Sequence, residues 1–434
     1  MARKKIRECT AKSLLKKHHA FLPAAFGSVQ ITAETNWEQL IAQHPWLGTS
    51  RLVVKPDMLF GQRGKHDLVG LNLTAAEAEQ FVKERVGRVI TVENHGTNTS
   101  VTDAVTHFIC ERFVPHTEEY YLSIQSHREH TAIALSHKGG IHIEENWGLV
   151  REFQVEVGDV PVCPSDYDMV SLFGSAAIAE AVWTFVLESF RVFEKLDFTM
   201  MEFNPFVVID DAGKLLCLPL DMRGELDDQA VFKNQKLWDG LDQFPRVFGH
   251  ENSKEEDFIA SLDAATGASL KLTLINPAGK IWLLVAGGGA SVIFTDTVCD
   301  LGHSHDLGNY GEYSGNPSDD DTYQYTRTVL TLATRLDDVN PNKGRCLLIG
   351  GGIANFTDVK ATFRGICKAL LEFGEALRQA GFKIFVRRGG PNYEAALRMM
   401  KEIEAGIGVP IEVFGPETHM TRIVHLAVDY VDKY

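Results

Sequence analysis

Ile281-Trp282-Leu283-Leu284-Val285 runs directly into Ala286-Gly287-Gly288-Gly289-Ala290, a continuous apolar stretch broken by consecutive glycines. A run without polar alternation suits a strand buried on both faces, as in a parallel sheet covered by helices on either side. The pattern recurs. Residues 345–349 lead into Gly350-Gly351-Gly352 and a helical stretch over 359–371, residues 382–386 into Arg387-Arg388-Gly389-Gly390, and residues 411–414 into Gly415-Pro416. Apolar strand, glycine turn and helix, repeated with short loops, predict an α/β doubly wound parallel sheet over 251–434, its ligands outside the carboxyl ends of the strands.

Upstream the texture differs. Residues 50–55 form a β-like run ended by Pro56-Asp57 and followed by the glycine-broken basic turn Gly61-Gln62-Arg63-Gly64-Lys65. Residues 75–86 read as a helix capped by Asn72 or Thr74, residues 106–114, 120–126 and 131–135 as strands, residues 176–193 as a long helix and residues 198–208 as a strand. This mixture predicts an α+β arrangement over 1–250, in two lobes that part near residue 110. A chain of 434 residues exceeds the ~250–300 at which a single core stops growing, so two or three domains are expected, the main boundary near 250.

Charge and cysteine usage exclude several classes. With 43 Lys and Arg against 58 Asp and Glu the net charge is −15, which disfavours nucleic acid and anionic membranes as partners. The basic cluster Arg3-Lys4-Lys5-Ile6-Arg7 is short and reads as a solvated segment. Seven scattered cysteines without a C-x-x-C pair signal neither a disulfide framework nor a zinc or iron–sulfur site, hence a reducing compartment. No run approaches the ~20 apolar residues of a membrane span and no signal peptide opens the chain, so a cytosolic protein is expected.

Several residues carry chemistry. Lys55, eight residues before Arg63-Gly64, offers a point charge and a basic loop able to close over a polyphosphate. The same residues also suit a surface lysine on an edge strand and a solvated turn. Asn204, within Glu202-Phe203-Asn204-Pro205, and Asp221 supply the hard oxygen ligands that Mg²⁺ takes, or else a buried hydrogen-bonded amide and an ordinary hairpin carboxylate. Neither a Walker A nor a G-x-G-x-x-G pattern accompanies them, so a P-loop or kinase-like fold is not indicated. Farther on, Asn355 and Thr357 stand where a strand ends and a helix opens, and Arg388 ends the next strand with a guanidinium fork. Together they predict a pocket for a small polyanion, the alternative being glycine turns that merely permit tight packing.

Val53-Val54-Lys55-Pro56-Asp57 with Arg63-Gly64-Lys65, Glu111-Arg112-Phe113-Val114-Pro115-His116, and Glu202-Phe203-Asn204-Pro205 with Asp221 resemble the ATP-grasp half of the succinyl-CoA synthetase superfamily. With Ala286-Gly287-Gly288-Gly289-Ala290-Ser291, Asn309-Tyr310-Gly311-Glu312-Tyr313-Ser314-Gly315, Gly350-Gly351-Gly352-Ile353-Ala354-Asn355-Phe356-Thr357 and Phe385-Val386-Arg387-Arg388-Gly389-Gly390-Pro391-Asn392-Tyr393, essentially the whole chain resembles the N-terminal portion of the ATP-citrate lyase (ATP-citrate synthase) family in its two-subunit form. The resemblance implies an ATP-grasp region over 1–250 and a CoA-ligase-like citrate-binding domain over 251–434. It implies ATP phosphates at Lys55, Arg63 and Gly64, adenine at the backbone of Arg112 and Val114, and ribose at Glu119. Mg²⁺ falls to Asn204 and Asp221, a second metal-associated loop to Asp263, Thr266 and Ala268, and citrate to Gly315, Asn355, Thr357 and Arg388. Arg112 replaces a Pro of many relatives, and Phe373 a Tyr of some, removing a hydroxyl contact.

The resemblance further implies a hetero-oligomer with a large subunit that carries the phosphohistidine, binds CoA and cleaves citryl-CoA. Citrate, ATP and CoA would yield acetyl-CoA, oxaloacetate, ADP and phosphate, and this chain would contribute no catalytic residue and be inactive alone. None of its 16 His sits in a phosphoacceptor context, and His303, His305 and His419 read as loop residues. The alternative is the β subunit of an ADP-forming succinate–CoA ligase, against which stand the segment 310–325 and the Arg387-Arg388-Gly389-Gly390 turn, suited to a larger polyanion.

Overall fold

In the computed structural model, which describes residues 3–61, 63–94, 99–241, 244–249, 252–335 and 344–434, the chain divides into two compact units, Met1–His250 and Glu251–Tyr434. Among its described residues the first unit holds three antiparallel sheets, the smallest a two-stranded pair of Val89–Asn94 and Thr99–Ala104. One has four strands in the order Ser28–Ile31, Phe108–Arg112, Leu52–Pro56, Gly70–Leu73. Helix Ala75–Arg85 covers it through buried Ala78 and Val82. Its cap is Thr74, which forms a reciprocal capping box with Glu77, whereas Asn72 sits in a left-handed turn at φ 56°.

The largest sheet of this unit has seven strands. Arg3–Ile6, Met222–Asp227, Phe198–Asp211, Tyr120–Ser126, His130–Ser136 and Arg151–Glu156 lie in that order, with Lys214–Pro219 paired to Phe198–Asp211. Helix Ala176–Lys195, capped by Ser175, turns Val182, Phe185, Val186 and Phe190 into the same core as Phe203 and Phe206 of the central strand. The basic segment at 3–6 is therefore an edge strand and not a solvated tail: its side chains at 3–5 are exposed, but its backbone pairs with 224–227. The following helix is Glu8–His18, and it buries Glu8 and Lys12 among apolar neighbours.

The second unit is one six-stranded sheet in the order Ser269–Leu274, Asn309–Ser314, Ile281–Ala286, Arg345–Gly351, Phe382–Arg387, Ile411–Phe414. The last five are parallel. Alternation along Ile281–Ala286 sends Trp282, Leu284 and Ala286 to one core, under helices Asp319–Ala333, Val359–Glu372 and Tyr393–Ile407. Ile281, Leu283 and Val285 go to the other, under Gly288–Asp300 and Arg422–Val431, so the sheet is doubly wound. The parallel expectation needs one correction, because Ser269–Leu274 runs antiparallel along the edge. Its Ser, Lys and Thr alternate with buried or half-buried Leu, the pattern of a half-exposed strand. The segment 310–325 is no long loop either: it is strand Asn309–Ser314 followed by the start of helix Asp319–Ala333. Asn309 joins its strand to the next through its side chain, accepting from Leu283 N–H at 2.8 Å and donating to Leu283 C=O at 3.0 Å. All seven cysteines are free thiols, and no helix among the described residues is long and apolar enough to cross a membrane.

Candidate functional site

In the first unit a strand delivers a lysine into the interior. Leu52–Pro56 lies between two other strands, so Lys55 is not on an edge, and it is 6% exposed; the surface-lysine reading fails. Lys55 Nζ donates to Glu8 Oε1 and to Leu220 C=O, each at 2.7 Å, and lies 3.4 Å from Glu111 Oε2 and 3.7 Å from Asp221 Oδ1. Arg63 donates to the other oxygen of Glu8 at 2.6 Å and stands 3.8 Å from Asp221. Lys12 bridges Glu8 at 2.8 Å and Glu111 at 2.6 Å. Three cations and three carboxylates thus form one connected cluster.

Burial opposes each charge, and the partners overcome it. Desolvation pushes the Glu8 carboxyl upward, but Lys12, Lys55 and Arg63 together hold it well below the usual carboxylate range. Desolvation likewise works against the Lys55 ammonium, and Asp221, Glu8 and Glu111 outweigh it to raise its pKa; Arg63 is raised the same way by Asp221 and Glu8. Both cations stay charged at any physiological pH.

This cluster forms one wall of a cavity of about 800 Å³, also lined by Asn204, Glu202 and Arg223. Asn204 Oδ1 accepts the Gly140 N–H at 2.7 Å, which leaves its second lone pair free, and the Asn204 N–H donates to the Asp221 backbone at 3.1 Å. The Asp221 side chain is 41% exposed toward this space. Burial raises the Glu202 carboxyl, with Arg223 only partly offsetting it. A donor set of carboxylate and amide oxygens beside two fixed cations fits a hard divalent ion with a polyphosphate.

A narrower slot of about 490 Å³ opens beside the connection between the four- and seven-stranded sheets, walled by Pro115, His116, Tyr120, Ile178, Val208 and Leu215. Its apolar faces suit a flat ring. Arg112, Val114 and Glu119 flank this wall in sequence without lining it. The Arg112 guanidinium turns away to Ala25 C=O at 2.9 Å and stacks over Trp46, leaving only its backbone for a ligand. Val114 C=O and Glu119 both engage His116, at 2.8 and 3.1 Å. At Gly140, whose φ is 82°, an added Cβ would meet the carboxylate end of Glu119 and push it aside. Gly64 follows Arg63 in the short turn Arg63–His66.

In the second unit the site lies at the carboxyl ends of the parallel strands. Arg388, 6% exposed, donates to Gly352 C=O at 2.7 Å, and a Cβ on Gly351 would collide with its guanidinium. Burial pulls its pKa down, with Tyr313 opposing. The Tyr313 hydroxyl is buried without a hydrogen-bond partner, and burial pushes it up to about 12. Neighbouring Arg387 differs: each of its three guanidinium nitrogens donates to a carbonyl, those of Gly351, Pro416 and Thr418.

Asn355 and Thr357 lie in the bend that enters helix Val359–Glu372. The helix start is capped by Asp358, which accepts the Ala361 N–H at 3.1 Å, so not every donor there is free for an anion. Gly315, at φ 73°, packs against Ala268, the Cβ position being 3.3 Å from Ala268 Cα. One expectation changes in its local structure. Asp263 is on helix Lys254–Ala265, not in a loop, and its oxygens accept from Leu270 N–H at 2.7 Å and Lys271 Nζ at 2.6 Å, which ties the edge strand to that helix. Phe373 is the residue that ends helix Val359–Glu372, partly buried against the core of the second unit. Thr266 Oγ1 is buried without a partner, as is Glu312 Oε2.

Sequence reading missed Glu8, Lys12, Glu111 and Tyr313. The available signal was the Glu8–Lys12 pair, four residues apart on the face that also buries Ala11 and Leu15.

Antiparallel sheets with buried Lys55 and partly buried Arg63 beside a cavity, followed by a doubly wound domain, are the arrangement of an ATP-grasp chain fused to a second, CoA-ligase-like domain. The models of known families agree: the ATP-citrate synthase ATP-grasp domain matches residues 2–238 and the ATP citrate lyase citrate-binding domain residues 250–430. ATP-citrate synthase alpha chain protein 2 of Arabidopsis thaliana is 50% identical over 438 residues, covering 99% of each chain. ATP-citrate synthase of Homo sapiens is 42% identical, covering 99% of this chain but 38% of that longer one. The structure of ATP citrate lyase from Methanothrix soehngenii in complex with citrate and coenzyme A is similar at a TM-score of 0.83 and 42% identity, over 99% of this chain and 100% of that one. The chain belongs to the ATP-citrate synthase alpha-chain family, and is an enzyme subunit; the succinate–CoA ligase alternative is set aside.

Proposed function

We propose that the first unit binds MgATP and the second binds citrate, and that a large partner subunit completes the reaction citrate + ATP + CoA → acetyl-CoA + oxaloacetate + ADP + phosphate in the cytosol. The observation that carries the nucleotide reading is the burial of Lys55 and Arg63 beside Asp221 and Asn204 in one cavity. Lys55 and Arg63, with the backbone at Gly64, neutralise the phosphates, where phosphoryl transfer spreads negative charge and fixed cations act most strongly. The backbone at Arg112 and Val114 meets the adenine beside the apolar slot, and Glu119 faces the ribose. Asp221 and Asn204 would hold Mg²⁺, whose charge adds to that neutralisation.

Arg388 gives its free guanidinium edge to a citrate carboxylate, Asn355 and Thr357 add short polar side chains, and Gly315 lets the backbone approach. The phosphohistidine, CoA site and citryl-CoA cleavage come from the partner, a reading supported by the longer human relative of which this chain matches 38%. The test is reconstitution. The purified chain alone should make no acetyl-CoA, and a mixture with the large subunit should; citrate cleavage by the isolated chain would overturn the division of labour. Within the complex, Arg388→Ala should weaken citrate about 10- to 150-fold, as expected for one charge-assisted contact of ~1.5–3 kcal/mol, and leave MgATP binding unchanged.

A further inference from the structure

Outside these two sites, one group of side chains has the composition of a metal centre. His303, His305 and Asp306 stand on the short turn after helix Gly288–Asp300, and one ligand atom from each lies within 4.8 Å of the others. His303 Nδ1 is 2.9 Å and His305 Nε2 3.3 Å from the same oxygen of Asp306, Oδ2. Ligands bonded at ~2.0–2.2 Å around a tetrahedral ion sit ~3.3–3.6 Å from one another. The His–Asp separations are therefore already close to those of neighbours around one ion.

A second, independent feature points the same way. The other ring nitrogen of His303, Nε2, faces Asp432 Oδ1 at 3.4 Å. Metal-bound histidines generally give their second N–H to a carboxylate, which fixes the tautomer and raises the basicity of the ligating nitrogen. Here one imidazole has a ligand-type carboxylate on one side and an orienting carboxylate on the other. The frame is also firm. Asp306 is 7% exposed and its N–H donates to His303 C=O at 2.9 Å, while His305 C=O is held by Asn276 at 2.6 Å. The two imidazole rings lie nearly parallel, 22° apart. Of the three ligand side chains His305 is the well-exposed one, so it can adjust to an ion at little cost.

We propose that His303, His305 and Asp306 bind one divalent ion of the zinc class, with Asp432 orienting His303 and water completing the coordination. Two imidazole nitrogens and one carboxylate suit Zn²⁺ and the other late first-row ions, whereas Mg²⁺ prefers oxygen alone. The centre is separate from the citrate crevice in composition and in its residues. Occupied, it fastens the turn Ser304–Asp306 to the end of helix Arg422–Val431 and so secures one helical face of the sheet.

The test uses the full chain with Mg²⁺ in large excess to saturate oxygen sites, titrated with Co²⁺ and Zn²⁺ against a competing chromophoric chelator. One equivalent should bind, with visible Co²⁺ absorption characteristic of a low-coordinate nitrogen–oxygen site, and Zn²⁺ should raise the thermal midpoint. His305→Ala, at an exposed position, should weaken binding at least ~10-fold and abolish that rise, and Asp432→Asn should weaken it roughly 10- to 100-fold. Unchanged stoichiometry and affinity in both His305→Ala and His303→Gln, or wild-type chain that fails to compete with the chelator, would overturn the proposal.

Discussion

Glu8 is the residue on which the nucleotide cavity turns, and Glu8→Gln tests it. In the wild type its carboxylate accepts from Lys12, Lys55, Arg63 and the Met222 N–H at 2.6 to 3.2 Å, all within the interior. Glutamine keeps the shape but removes the charge and turns one acceptor into a donor aimed at cations. Breaking a buried ion pair by neutralising one partner costs about 3–5 kcal/mol, since the remaining charges stay desolvated. For a unit of this size, at about 2–4 °C per kcal/mol, the thermal midpoint should drop by roughly 6–20 °C. The pH dependence gives an internal check. The Glu8 carboxyl is held below its unfolded value, so its contribution is complete above the unfolded carboxylate pKa of ~4.3 and is lost only as pH falls through the folded value. The difference between wild type and variant should therefore be flat between about pH 6 and about pH 8 and shrink in acid. Urea unfolding of the full chain, followed at several pH values, reads it directly. A loss below about 1 kcal/mol at neutral pH would mean that the cluster does not need its central anion, and the reasoning would fail.

Three further outcomes follow from individual contacts. Asp221→Ala should lower activity of the assembled enzyme at least ~10-fold, or ~1.4 kcal/mol, and wild-type turnover with assembly confirmed would remove Asp221 from the proposed metal site. Gly140→Ala should cost about 1–2 kcal/mol for its left-handed backbone and displace Glu119, weakening nucleotide; calorimetric titration that finds ATP affinity unchanged would detach Glu119 from the ribose. Tyr313→Phe deletes a buried hydroxyl that has no protein partner, so stability should hold or rise while citrate binding weakens about 2- to 13-fold, for ~0.5–1.5 kcal/mol; citrate affinity equal to wild type would show that the hydroxyl serves only the fold.

What could be read from the sequence was what is local. Ile281–Ala286 is a continuous apolar run, Arg345–Gly351, Phe382–Arg387 and Ile411–Phe414 are mostly apolar with single charged residues such as Lys383 and Glu412, and all four end in glycine or a turn, so their strands announce themselves. The edge strand Ser269–Leu274 did not, because an edge needs only one apolar face and six residues of alternation are a weak signal. The contacts of the nucleotide cavity were invisible for another reason. Glu8 meets Lys55 across 47 residues and Met222 across 214, and Lys12 meets Glu111 across 99, so no spacing rule joins them. Lys55 and Asp221 stood out by residue type and position, whereas Glu8 looked like an acidic residue favouring a helix start, which it also is. Asp263 shows the same limit from the other side: the sequence suggests a loop start there, and only the fold reveals that it lies on a helix with its oxygens accepting from Leu270 and Lys271.

The two units solve the problem of holding an anion by opposite electrostatic means. In the first, Lys55 and Arg63 are already paired with carboxylates, so bringing in a polyphosphate exchanges one set of anions for another. The cations are kept charged and fixed beforehand, and the favourable term left for the nucleotide is modest per contact but well oriented. In the second, Arg388 is buried with a single carbonyl bond and, among the described residues, no carboxylate paired to it; desolvation pulls its pKa down, a sign that the charge is uncompensated. A buried cation without a counter-ion raises the energy of the empty site and not of the filled one, so an incoming carboxylate recovers the deficit in addition to forming its own hydrogen bonds. Selectivity for a small multiply charged acid then needs few contacts. On the proposed citrate reading, the crevice would be lined largely by glycine backbone, and the desolvated Arg388 guanidinium would do most to discriminate an anion from a neutral molecule of the same shape.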